Sequence, residues 1–141
     1  MSEMDDNELR QAMAALESYK AQLDALAQQS QMLQMSLEET LRSKETIKAL
    51  IEAEPGDEVL VPAGGAAFVT VTVSEKKKAI VGIGSGYSVE KDFDDAVSFV
   101  DANVEDIKTA AKSVAETAGR IEETATKLSL AVNQELQKRQ G

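Results

Sequence analysis

The chain has 141 residues, 25 acidic against 15 basic side chains and no His or Cys, giving a formal net charge of −10. Without Cys and His there is no thiol nucleophile, no Ser-His-Asp triad, no disulfide and no zinc site of the usual kind. The acidic balance argues against nucleic-acid binding, because phosphate contacts need a basic face. The acidic start predicts no signal peptide, and no apolar run is long enough to span a membrane, so we expect a cytoplasmic protein that binds no membrane.

Residues 8–52 carry one uninterrupted heptad pattern. With Leu9 as position a, the a column is Leu9, Leu16, Leu23, Ser30, Leu37, Lys44 and Ile51, and the d column is Ala12, Tyr19, Leu26, Leu33, Thr40 and Ile47. A largely apolar seam on a period of 3.5 residues predicts a coiled-coil helix, which Pro55 and Gly56 end. Lys44 and Thr40 are polar seam residues, which either fix the register or mark where the helix leaves the coil.

Residues 57–91 change character, because short apolar runs are separated by turn signals. Strands are predicted over 58–62, 68–73, 79–83 and 87–91, with glycine-rich turns after the first and third. This pattern indicates two β-hairpins in sequence. The three lysines at 76–78 predict a solvated turn between the hairpins, although docking of an acidic partner is an alternative.

Residues 93–138 carry a second, fully apolar seam. Its a column is Val97, Val104, Ala111, Ala118, Ala125 and Val132, and its d column is Val100, Ile107, Val114, Ile121 and Leu128. Two seams of equal length, joined by a folded insert, predict antiparallel pairing. The acidic residues Glu3, Asp5, Asp6 and Glu8 would then lie near Lys138 and Arg139. The predicted fold class is α+β: a long antiparallel two-helix coiled coil with two β-hairpins between its helices.

The apolar strands predict that the chain assembles with others. Four short strands would form a small sheet with two open edges and no second layer, since the helices project away from it. Joining such sheets from several chains into a β-barrel covers both the edges and the apolar face. The residues assigned to subunit assembly are Val59, Val61, Phe68, Val69, Val71, Val73, Ile80, Val81 and Ile83. The predicted domains are an N-terminal coiled-coil helix (1–54), the two-hairpin oligomerisation segment (55–91) and a C-terminal coiled-coil helix (92–141).

Two stretches of the hairpin segment are specific: Glu-Val-Leu-Val-Pro-Ala-Gly-Gly-Ala-Ala-Phe-Val at 58–69 and Val-Gly-Ile-Gly-Ser-Gly-Tyr-Ser-Val-Glu-Lys at 81–91. Placed between two matched helices, they resemble the prefoldin alpha-subunit family in its archaeal form, over nearly the whole chain. Two hairpins favour the alpha class, because the beta class has one. The resemblance implies an ATP-independent co-chaperone that is not an enzyme and needs no cofactor. Two alpha and four beta subunits would join into a double β-barrel, whose coiled-coil tips hold unfolded polypeptides for a group II chaperonin.

In such a hairpin both chain ends lie at the free tip, where fraying exposes seam residues and flexible Met side chains adapt to varied clients. The predicted client-binding residues are Met1, Met4, Leu9, Met13, Leu128, Leu130, Val132 and Leu136. Leu130 and Leu136 lie outside the a and d columns, so we expect both to be exposed. No catalytic, cofactor-binding or metal-binding residue is predicted.

A structural coiled-coil adaptor or spacer, whose tips dock one folded partner, is the alternative function. A chaperone binds many unfolded clients and no native ones, whereas an adaptor binds one native partner with a defined stoichiometry. The glycines at 82, 84 and 86 lack the spacing of a dinucleotide loop and favour a hairpin turn or close backbone approach at a subunit joint. The carboxylates do not follow a calcium-loop spacing.

Overall fold

The computed structural model describes residues 4–140. The elements in chain order are α1 (Asp6–Glu52), β1 (Glu58–Gly64), β2 (Ala67–Thr72), β3 (Lys78–Gly84), β4 (Tyr87–Asp92) and α2 (Phe93–Gln140). The two predicted helices and the two predicted hairpins between them are therefore confirmed. Met1, one of the predicted client-binding residues, lies outside the described residues. Across residues 4–140, neither helix has a stretch long and apolar enough to cross a lipid bilayer.

The chain forms two compact units, each containing part of both helices. Of the described residues, 4–34 and 109–140 form what we call the terminal unit, and 35–108 form the hairpin unit. In both units the predicted seam side chains lie at the helix pair. Those of α2 are all buried or half-buried, and in α1 only Ser30 is exposed. The heptad pattern thus identified the packed face of each helix correctly.

The helix α1 begins two residues before the position that the heptad pattern suggested. The backbone N–H of Glu8 donates to Oδ1 of Asp5 at 2.7 Å, and the N–H of Leu9 donates to the carbonyl of Asp5 at 3.0 Å. Asp5 is therefore the N-cap residue, which satisfies an amide that has no partner inside the helix. The acidic groups of Asp6 and Glu8 lie in the same first turn, where they complement the helix dipole.

In the hairpin unit, the second hairpin packs on the helices. Val81 of β3 is buried in a cluster with Ile47 of α1 and with Ala96 and Val100 of α2. Its cross-strand neighbour Val89 packs against the same cluster, because residues directly opposite in a hairpin share a face. The expectation that the strands lack a covering layer is therefore wrong for this hairpin.

The four strands do not form one sheet. Within the described chain, β1 pairs only with β2 and β3 only with β4, each antiparallel, so there are two two-stranded sheets and four open edges instead of two.

Val73, the residue after β2, forms two backbone hydrogen bonds with the segment that follows α1. The N–H of Val73 donates to the carbonyl of Asp57 at 2.8 Å, and the carbonyl of Val73 accepts from the N–H of Gly56 at 2.8 Å. These bonds tie the end of the first hairpin to the turn that follows α1.

A tight turn closes the second hairpin. Gly84 pairs with Tyr87, and both residues between them have positive φ, 54° at Ser85 and 79° at Gly86. Two consecutive positive φ angles are typical of a type I′ turn, whose twist matches that of the flanking strands. The glycines of this segment therefore shape a hairpin turn, one of the two roles that the sequence suggested.

Candidate functional sites

An apolar cluster lies in the terminal unit, near both ends of the described chain. Leu9, Ala12 and Val132 are buried in it, and Met4, Leu16, Leu128 and Leu136 pack partly buried against it. Five of the predicted client-binding residues are therefore in or against this terminal cluster. Leu136, which was expected to be exposed, is half-buried because its side chain packs against these neighbours.

Two predicted client-binding residues are accessible in the folded chain. Met13 is 48% exposed on α1 and Leu130 is 59% exposed on α2. The exposure expected for Leu130 is confirmed. Both residues are one or two positions from buried members of the terminal cluster, Ala12 and Val132. Both side chains are therefore accessible without any rearrangement of the cluster.

Arg139 joins the two chain ends of the terminal unit. Its Nη1 lies 2.5 Å from Oδ1 of Asp6, its Nη2 donates to the carbonyl of Met4 at 2.9 Å, and its Nε donates to Oε1 of Glu135 at 3.2 Å. The hydrogen bond to Asp6, followed by that to Glu135, raises the pKa of Arg139 above its ordinary value. The predicted approach of Asp6 to Arg139 is confirmed.

Glu135 is a seam residue that the sequence analysis missed. It follows Leu128 by seven residues, at the next d position of α2, and it is only 8% exposed. A buried carboxylate is costly unless it is paired, and Arg139, one turn further along α2, provides the partner. Extending the d column by one heptad would have drawn attention to this position.

The hairpins carry the residues predicted to act in assembly, with three degrees of exposure. Phe68, Val69, Val71, Ile80 and Ile83 are exposed, Val59 and Val61 are half-buried, and Val73 and Val81 are buried. Val81 packs against the helices of this chain, and Val73 is buried within the chain at the end of the first hairpin. Leu60 and Tyr87 are equally exposed large side chains that the prediction omitted.

An open apolar cleft separates the first hairpin from α1 within the hairpin unit. It has a volume of about 340 Å³, and Leu50 and Ala49 of α1 face Leu60 and Phe68 across it. Pro62 completes the hairpin wall, since it lies directly opposite Phe68 in the strand register. This hairpin therefore presents apolar surface that the chain does not fill by itself.

Lys77 caps the end of α1, which the sequence did not predict. Over the described span Asp6–Glu52, α1 has no basic residue in its last turn. The ammonium group of Lys77 donates to the carbonyls of Leu50 at 2.9 Å, Ile51 at 3.3 Å and Ala53. Its own carbonyl accepts from the N–H of Phe93 at 3.2 Å, at the start of α2. The solvated-turn prediction is wrong for Lys77, which is half-buried.

The other two lysines of this turn are exposed and form ion pairs. Lys76 lies 2.5 Å from Glu90, and Lys78 lies 3.8 Å from Asp92. The hydrogen bond from Lys76 lowers the pKa of Glu90 below its ordinary value. These pairs link the turn to β4, whereas Lys77 links it to both helices.

Lys44, the polar residue of the α1 seam, contacts α2 in the hairpin unit. Its Nζ lies 2.6 Å from Oδ1 of Asp101. A charged seam residue with a defined partner on the facing helix favours one register of the pair over its neighbours. The structure therefore supports the register interpretation of Lys44.

Among residues 4–140, no group of acidic side chains is arranged to hold a metal ion.

The family model described as Prefoldin subunit matches residues 19–138. The chain is 33% identical to prefoldin subunit alpha of Pyrococcus horikoshii, covering 96% of this chain and 92% of that relative. It is 31% identical to prefoldin subunit alpha of Methanocorpusculum labreanum, covering 84% of this chain and 80% of the relative.

Two solved structures share the fold. The cryo-EM structure of filamentous PFD from Methanocaldococcus jannaschii superposes with a TM-score of 0.69 at 23% identity, covering 83% of this chain and 97% of that one. The crystal structure of the prefoldin beta subunit from Thermococcus strain KS-1 superposes with a TM-score of 0.61 at 17% identity, covering 95% and 96%. The chain therefore belongs to the prefoldin family of chaperone subunits, with archaeal alpha subunits as its relatives.

Proposed function

We propose that this chain is the alpha-type subunit of a cytoplasmic prefoldin complex that captures unfolded polypeptides without ATP and passes them to a group II chaperonin. The observation that carries the proposal is the pair of exposed apolar side chains, Met13 and Leu130, beside the terminal cluster. Unfolded chains expose apolar segments, and accessible apolar side chains of this kind are what such segments bind.

Several tips would have to act together on one client. Met13 is flexible and polarizable, so it adapts to clients of different shape, but a contact by one or two side chains is weak. Linking several such contacts on one assembly raises the effective concentration of each and therefore the overall affinity. Capture thus depends on assembly, for which we propose two alpha and four beta subunits.

The hairpins are the proposed assembly segment. They carry exposed apolar residues, such as Phe68 and Ile80, and unpaired strand edges, which are templates for pairing with another chain. A barrel made from the hairpins of several subunits would pair these edges and bury the apolar side chains. The native mass of the complex that a tagged copy of this chain recovers from its own cell extract tests the assembly. A mass equal to two copies of this chain and four of a smaller subunit supports the proposal, whereas a homodimer or monomer contradicts it.

Client capture is tested by a pair of matched double variants. M13S/L130S removes the exposed apolar side chains of the proposed client site, whereas M32S/M35S removes two methionines of α1 that are 70% and 68% exposed and lie outside it. We expect the assembled complex with M13S/L130S to suppress aggregation of an unfolded client several-fold less well, because the loss is multiplied over its tips. The M32S/M35S complex should match the wild type.

Other outcomes of this experiment would change the conclusion. If the two double variants suppress aggregation equally poorly, any exposed apolar side chain on the helices binds clients, and the proposed client site is wrong. Binding of one native partner in a defined stoichiometry, with no protection of unfolded clients, would favour the structural adaptor.

A further inference from the structure

We propose that Arg139 is a latch on the terminal cluster, which controls how much of the client-binding surface is accessible. The latch consists of the contacts from Arg139 to Asp6 and to the carbonyl of Met4. The inference rests on the proposed function, since it concerns the regulation of the same site. It assigns a role to Arg139 that is separate from contact with the client.

The contacts of Arg139 divide into two kinds. Its bond to Glu135 lies within α2, where the two residues are one turn apart, so it holds the guanidinium in position without joining the chain ends. Its bonds to Asp6 and to the Met4 carbonyl reach the start of α1, more than 130 residues away along the sequence. These two bonds therefore close the end of the helix pair.

The latch lies over apolar surface. Met4, whose carbonyl Arg139 binds, packs its side chain, partly buried, against the terminal cluster. While the latch is closed, Leu9 and Val132 are buried, and among the described residues of the proposed client-binding surface Met13 and Leu130 are the exposed ones. When the latch opens, the first turn of α1 is free to fray and the buried members of the cluster become accessible.

Salt should open the latch. The side chains of Arg139 and Asp6 are 37% and 79% exposed, so mobile ions screen their attraction. Apolar contacts in the cluster do not weaken with added salt in this way. Raising the ionic strength therefore separates the contribution of the latch from that of the cluster beneath it.

Hydrogen exchange on the full chain in its assembled complex tests the latch. D6N removes the charge that Arg139 contacts on α1 and leaves the bond from Arg139 to the buried Glu135 in place, and E8Q removes the same charge from another exposed residue of the same first turn. We expect exchange at residues 6–16 and 128–139 to be about threefold faster in D6N than in E8Q at low salt, the scale of an exposed ion pair. R139K, which keeps a charge beside Glu135 but loses the planar fork, should lie between them.

The salt dependence and client capture complete the test. High salt should speed exchange in the wild type and bring D6N and E8Q to the same rate, and D6N should capture an unfolded client about threefold faster than E8Q at low salt. Equal exchange in D6N and E8Q at low salt overturns the latch. Faster exchange without faster capture overturns its control of the site, while the M13S/L130S comparison decides the proposed function separately.

Discussion

Replacing Lys77 by Met tests how the hairpin segment is attached to the helices. The Met side chain keeps most of the length and the apolar stem of Lys77 but has neither the charge nor the N–H donors. In the wild type, the ammonium group binds carbonyls of Leu50, Ile51 and Ala53, which have no partner within α1. K77M would leave these carbonyls to water and remove the positive charge from the negative end of the helix dipole.

The expected loss of stability follows from this geometry. A cation at a helix C-terminus contributes up to about 2 kcal/mol where the site is partly buried, and hydrogen bonds to a charged group contribute a similar amount. Lys77 is half-buried and provides both, so we expect K77M to lose about 2 kcal/mol. For a chain of this size that corresponds to a Tm lower by roughly 8 °C.

The assay is thermal unfolding of the purified chain at fixed concentration, with hydrogen exchange at residues 50–57 as a local readout. K76M is the matched control, because it removes the same charge from the adjacent exposed residue and should lower Tm by about 2 °C or less. K77R, which keeps the charge, should retain most of the stability. A K77M variant that unfolds at the same temperature as K76M, with unchanged exchange at the end of α1, would refute the capping role.

Three other predictions concern the hairpins. In an NMR titration, the pKa of Glu90 should lie below its ordinary value in the wild type and rise in K76M. The pair between Lys76 and Glu90 therefore contributes fully to stability above the ordinary pKa of Glu. This contribution is lost as the pH falls through the lowered pKa of Glu90. Gly86→Ala should lower the free energy of unfolding by about 1 kcal/mol, because φ is positive at this residue. The control is Gly82→Ala, where φ is not positive and an added Cβ meets open space, so Gly86→Ala should have the lower Tm of the two. In the chain without partner subunits, amides that pair β1 with β2 should exchange faster than those that pair β3 with β4, and equal rates would contradict the difference in packing described above.

The helices were predictable because their signal is repetitive and local. Each heptad independently indicates which side of α1 faces α2, and an isolated polar member such as Ser30 does not shift the pattern. The heptads did not indicate the N-cap, because Asp5 lies outside the seam; its position three residues before Glu8 is the signal that would have found it. What the heptads could not give is the partner of Lys44, because which residue of α2 faces it depends on how the two helices are staggered.

The contacts that hold the hairpins required the structure. Alternation with a period of two shows that Val81 and Val89 share a face, but not whether that face meets the helices or a neighbouring chain. Lys77 lies 24 to 27 residues from the carbonyls that it binds. Its position depends on the turn at Gly56, which the sequence indicated, and on the backbone bonds of Val73, which it did not. A run of three lysines is usually solvated. Only the path of the backbone places the side chain of Lys77, and not those of its neighbours, at the end of α1.

The two hairpins have unequal support, and this bears on how the family assembly would form. The second hairpin buries Val81 against both helices, so part of its stability comes from its own chain. In the first hairpin every side chain of β2 is exposed, and Leu60 and Phe68 line a cleft that stays open. A two-stranded hairpin without a packed face is marginally stable in water. In the proposed assembly, the first hairpin would therefore gain more from a neighbouring subunit than the second hairpin, which already packs on the helices of its own chain.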